Sequence, residues 1–100
     1  MIRHIVMWRF KDSAEGNSKE ENIKIVTKSL YSLVGVIDEI KKMEIGKDLL
    51  HTDASMDLAL VTEFETLDTL HTYAVHPEHV KVAEFVKKVT EMRVVLDCEL

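Results

Sequence analysis

Little in this chain crosslinks or interrupts it. There is a single cysteine, Cys98, so no disulfide can form within one chain, which fits a reducing compartment. It stands between Asp97 and Glu99, whose charges raise rather than lower a thiol pKa, so a reactive thiolate is not expected there. One proline and three glycines leave no room for linkers or disordered tracts. No window approaches the ~20 apolar residues of a membrane span. The opening "MIRHIVMWRF" lacks the apolar core and small-residue cleavage site of a signal peptide, so a cytoplasmic location is expected. Basic residues are outnumbered, 13 against 18, giving a net charge of −5, which disfavours nucleic acid or an anionic membrane as partner. Glycine-rich phosphate loops and G-x-S-x-G elbows are absent, so neither phosphate cradling nor serine hydrolysis is supported.

What is present is patterned, over a length of 100 residues that fits one domain spanning 1–100. From Ile2 to Lys11 the chain alternates: Ile2, His4, Val6, Trp8 and Phe10 share one face, Ile5 and Met7 the other. This is a strand with apolar content on both sides. "KDSAEGN" reads as a loop. Ser18 and Glu21 then form a capping box, followed by Ile23, Val26, Leu30, Leu33, Val34 and Ile37 at spacings of three and four, which predicts a helix to about Gly35. Lys41–Leu50 reads as a weak strand, "HTDAS" as a turn and Asp57–Glu65 as a clear strand. Thr66 caps a short helix through Tyr73, and Pro77 opens another running to about Lys88. Met92–Leu100 is the last strand.

The order β-α-β-β-α-β predicts an α+β, ferredoxin-like fold: a four-stranded antiparallel sheet with helices on one face. The other face then carries Ile5, Met7, Ala59 and Val61 with nothing over them. An apolar sheet face left wet is sticky, and two such faces closing on each other as a dimeric α/β barrel is the simplest remedy.

"RHIVMWRFKD", "DLALVTEFETLDTLHTYAVHPEHVKVAEFV" and "VVLDCE" together resemble the stress-responsive A/B barrel (Dabb) family over nearly the whole chain. The most specific piece is "YAVHPEHV" set shortly after "EFET". The resemblance implies a dimeric barrel and, for most bacterial members, no known reaction. A plant polyketide cyclase in the family is similar at His4, Tyr73 and His79. The likeness implies that Tyr73 and His79 would serve as acid and base in a cofactor-free aldol-type cyclisation. Leu58 falls where that enzyme has a further histidine, and Asn22, Ile23 and Val26 fall near its pocket aromatics, so the pocket here has a different lining.

The residues themselves leave two readings open. Tyr73 can donate to a carbonyl or enolate oxygen while His79 takes a proton and His4 assists, with Asp97 holding a histidine in one tautomer. Equally, His79 can be a core histidine bonded to a backbone carbonyl beside a packed Tyr73, and His4 a satisfied polar group among apolar neighbours. A pocket between sheet and helices would be walled by Val6, Trp8, Leu58, Leu60 and Phe64 from the strands. Ile23, Val26 and Val82 would close it from the helices. His76 precedes Pro77 and is expected to be exposed and non-helical. His76 and His79 are three apart, but Pro77 separates them and no third ligand completes a set, so no metal or cofactor is expected. The sequence therefore supports a homodimer binding a small organic ligand, with a cofactor-independent cyclase- or isomerase-like enzyme as the alternative.

Overall fold

The computed structural model describes residues 1–100. In chain order the elements are β1 (Ile2–Phe10), β2 (Ser13–Ala14), β3 (Asn17–Ser18), α1 (Lys19–Tyr31), β4 (Lys42–Lys47), β5 (Leu58–Phe64), α2 (Leu67–Val75), α3 (Pro77–Val89) and β6 (Thr90–Glu99). The four long strands form one antiparallel sheet in the order β4-β5-β1-β6, the ferredoxin-like arrangement. No helix is long and apolar enough to cross a membrane.

Alternation on β1 and β5 decides which side the helices cover. Ile2, Val6, Trp8 and Phe10 are buried, as are Leu58, Leu60 and Phe64, and these meet Ile23, Val26 and Leu30 of α1 and Val86 and Val89 of α3 in one cluster. The register places Met7 opposite Ala59 and Val94, and Ile5 opposite Val61 and Leu96. This outer face has no helix over it; Met7 is 38% exposed and Leu96 58%.

The segment read as a plain loop is a small hairpin. Glu15 and Gly16 both take positive φ, 54° and 77°, which is the geometry of a tight two-residue turn between strands. Asn22, fully buried on α1, locks the hairpin down: it donates to the Ala14 carbonyl at 3.0 Å and accepts from Asn17 at 3.1 Å. The capping box at Ser18 and Glu21 starts α1 as expected.

Helix α1 stops at Tyr31, short of the expected Gly35. Leu33 and Ile37 stay buried, but through tight turns in which the Ile37 amide bonds the Leu33 carbonyl and Gly35 adopts φ 90°. Val34, expected on the buried stripe, is half exposed because the stripe's geometry ends with the helix. Strand β4 ends at Lys47 rather than Leu50; Leu49 and Leu50 are 87% and 80% exposed in the following loop.

Candidate functional site

The stretch from Tyr73 to His79 is built around a repair of the backbone. Pro77 interrupts the path from α2 to α3 because it has no amide hydrogen and forces His76 to an extended ψ of 133°. In a continuous helix the Glu78 amide would donate to the Ala74 carbonyl. Here that amide donates to Nδ1 of His76 at 3.1 Å, and the Ala74 carbonyl is taken by Nδ1 of His79 at 3.0 Å. The two histidines thus replace the bond lost at the proline. His76 is half-buried as a helix cap rather than exposed.

This bond also sets the chemistry of His79. A carbonyl only accepts, so Nδ1 carries the proton and Nε2 keeps a free lone pair. Burial pushes the imidazole pKa below 6.5, against the opposing effect of the Ala74 bond, and the nearby charges of His4 and Arg93 push it the same way. Near neutral pH the ring is uncharged, with a basic nitrogen available.

Tyr73 packs its ring against His79, centroids 4.3 Å apart, and against Phe64 at 5.0 Å. Its side chain is 1% exposed and its hydroxyl has no hydrogen-bond partner. Burial pushes the phenol up to about 12, so it stays protonated and keeps a proton to donate over the ordinary pH range. An unpartnered buried hydroxyl costs the fold free energy, about 1–3 kcal/mol, which a ligand acceptor would relieve.

His4 completes the group from β1, its ring centroid 6.4 Å from that of Tyr73. Its Nδ1 is hydrogen-bonded to the Asp97 carboxylate, its direct cross-strand neighbour on β6. The carboxylate accepts, so His4 too presents Nε2 away from its partner. Asp97 thus holds His4, not His79, in one tautomer.

A cavity of about 480 Å³ opens beside these rings, bordered by His4, Tyr73 and His79. Its size falls in the range of small-molecule sites, about 300–1,000 Å³. Of the walls read from the sequence, Val6, Trp8, Leu60 and Val82 border it. Ile23, Val26, Leu58 and Phe64 do not; they are packed into the core, Phe64 against Tyr73, so the void lies nearer α3 than expected. Asp97 touches it only through His4.

Several bordering residues carried no readable signal. Leu30 looks like any core leucine. Ala83, Val86 and Lys87 follow from the face of α3 that bears His79. Thr90, Glu91, Met92 and Arg93 all border the cavity although they are consecutive. Simple alternation would have split them between two faces. The pairing of β6 with β1 shifts between Arg9 and Phe10, leaving Glu91 as an extra residue, and this bulge turns the start of β6 toward the cavity mouth. His51 and His71 lie exposed, away from the site. No cluster of three His, Cys, Asp or Glu side chains has the arrangement of a metal centre.

The sequence profile of the stress responsive A/B barrel domain, Dabb, matches residues 2–100. The chain is a member of the Dabb family. Olivetolic acid cyclase of Cannabis sativa is 26% identical over 98 residues, covering 96% of this Dabb chain and 93% of that protein. Among solved structures, a protein of unknown function from Bacteroides fragilis NCTC 9343, described as dimeric and ferredoxin-like, superposes with a TM-score of 0.86 at 28% identity, covering 99% of this chain and 95% of that one. A second protein so described, from Thermobifida fusca YX, gives 0.84 at 26% identity, covering 99% and 90%.

Proposed function

We propose that this Dabb protein is a homodimer that binds a small organic carbonyl compound in the cavity between its sheet and α3. The observation that carries the reading is a cavity of about 480 Å³ beside a buried Tyr73 hydroxyl that has no partner. Apolar walls with few convergent polar groups are the usual make-up of such sites. The dimeric description of the two relatives supports pairing, and the uncovered Ile5, Met7, Ala59 and Val61 face, extended by Val94 and Leu96, is the surface it would bury. Trp8 is the sole tryptophan and stands in the cavity wall, so its fluorescence reports occupancy. Titration with phenylacetone should change that emission, and Ala83→Trp, which fills the void, should block binding by the unlabelled ketone in equilibrium dialysis. Equal retention by that variant would sink the reading.

A specific feature favours a second, catalytic reading. His79 offers an unprotonated Nε2 while Tyr73 keeps a proton to share. This is the division of labour that enolate formation requires: the base removes the α proton, the C–H pair moves into the carbonyl, and the developing oxyanion accepts from the phenol. The likeness to olivetolic acid cyclase supports this reading. Exchange of the α protons of phenylacetone into heavy water, followed by NMR, tests it. Exchange should fall in Tyr73→Phe and in His79→Gln; a rate no faster than buffer in the unmodified protein rules the catalytic reading out.

A further inference from the structure

The cavity mouth is charged where its depth is apolar. Lys87 at the end of α3 and Arg93 on β6 both border it, and neither makes a salt bridge or hydrogen bond within the chain. This is unusual here, because acidic residues outnumber basic ones and most other lysines and arginines have found a carboxylate or carbonyl. Glu91 shares the mouth and is unpaired as well, so the two cations outnumber one anion.

Arg93 is the direct cross-strand partner of Trp8, so guanidinium and indole rise side by side from the same face of the sheet. The indole N–H of Trp8 is itself buried and without an acceptor, on a side chain 5% exposed. Tyr73 brings a second orphaned donor from α2. The field of Arg93 reaches both Tyr73 and His79, whereas Glu91 has no comparable influence on either. Donors and cations from four elements, Trp8 on β1, Tyr73 on α2, Lys87 on α3 and Arg93 on β6, thus converge on one void, and none of the four side chains has an acceptor within the chain.

We infer that the cavity is built for a small organic acid, its carboxylate held at the mouth by Arg93 and Lys87 and its apolar body laid against Val6, Leu60 and Val86. A second oxygen on such a ligand, a ketone or hydroxyl, is the acceptor that Tyr73 and Trp8 lack. The inference rests on the ligand-pocket reading and narrows it to a chemical class. Guanidinium suits the task because its fork matches a carboxylate with two parallel hydrogen bonds.

Matched acid–amide pairs test it: phenylacetate against phenylacetamide and hexanoate against hexanamide, read by Trp8 fluorescence alongside phenylacetone. The acids should bind about tenfold more tightly than their amides, a charge-assisted contact against a neutral one. Arg93→Gln should erase that preference, and Lys87→Gln should weaken it partly. Both positions are exposed, so the fold does not depend on them. Acids and amides binding alike, or an Arg93→Gln variant that keeps the preference, overturns the inference while ketone binding keeps the pocket reading. If no acid, amide or ketone binds, both fall together.

Discussion

The rings of Tyr73 and His79 lie with centroids 4.3 Å apart and planes inclined by 45°, yet no hydrogen bond joins them. His79 spends one nitrogen on the Ala74 carbonyl and Tyr73 spends its hydroxyl on nothing. The pair is therefore packed like a core contact but left half unsatisfied toward a cavity. A purely structural pair would be expected to close that remaining bond, since buried polar groups are nearly always partnered.

Stability should expose this. Tyr73→Phe deletes a hydroxyl that has no partner and keeps the ring against Phe64 and His79. The variant should be as stable as the parent or more so, by up to about 3 kcal/mol, because the desolvation penalty of the hydroxyl disappears with it. Chemical denaturation decides the matter. A loss beyond about 1 kcal/mol means the hydroxyl has an acceptor in the free protein.

Acid should weaken the fold through His79. Its folded-state pKa lies below 6.5, chiefly from burial. The unfolded chain therefore binds this proton more readily, and the folded state is favoured less as the pH falls. The effect is absent well above 6.5, grows as pH drops through 6.5, and levels off below the folded-state value. Unfolding free energies at pH 7.5 and 5.5 should differ more for the parent than for His79→Gln. An identical acid sensitivity in the two would show that His79 is not buried neutral.

The open sheet face predicts an assembly defect. Leu96 is 58% exposed and Val61 lies across Ile5 from it, so Val61→Lys with Leu96→Lys disturbs no packed core. Two like charges per chain on a closing apolar face should convert the dimer to monomers of 11.5 kDa. Sedimentation velocity at micromolar concentration reads the outcome, and a parent chain that already sediments as a monomer would falsify the barrel.

How far the sequence reached depends on how long each pattern ran. β1 and β5 alternate over nine and seven residues, long enough to assign faces and the uncovered apolar side. Strands β2 and β3 have two residues each and no period to detect, so only the positive φ of Glu15 and Gly16 reveals the hairpin. At Leu33 and Ile37 helical spacing survives past the helix itself, because successive turns bury the same side. The site divides in the same way. Tyr73, His79 and His4 were legible as residue types in a motif and on a strand face. Arg93 was not: it alternates in step with Val95 and Asp97, but an arginine near a strand end belongs to no motif and reads as a solvated charge.

The His4–Asp97 pair yields the last prediction. A free imidazole favours neither nitrogen strongly, so the protonation of Nδ1 in His4 depends on the carboxylate opposite it. Asp97→Leu removes that acceptor without crowding the core, since the Asp97 side chain is 41% exposed. The ring should then lose its single tautomer, visible as a shift in its nitrogen NMR signals toward a mixture. If His4 helps to present the ligand to Tyr73, the same substitution should slow phenylacetone exchange while leaving the nitrogen signals of His79 in place. Its anchor is the Ala74 carbonyl on the neighbouring helix, which the substitution does not touch. A His4 ring that keeps its tautomer in Asp97→Leu would show that something other than the cross-strand carboxylate holds it.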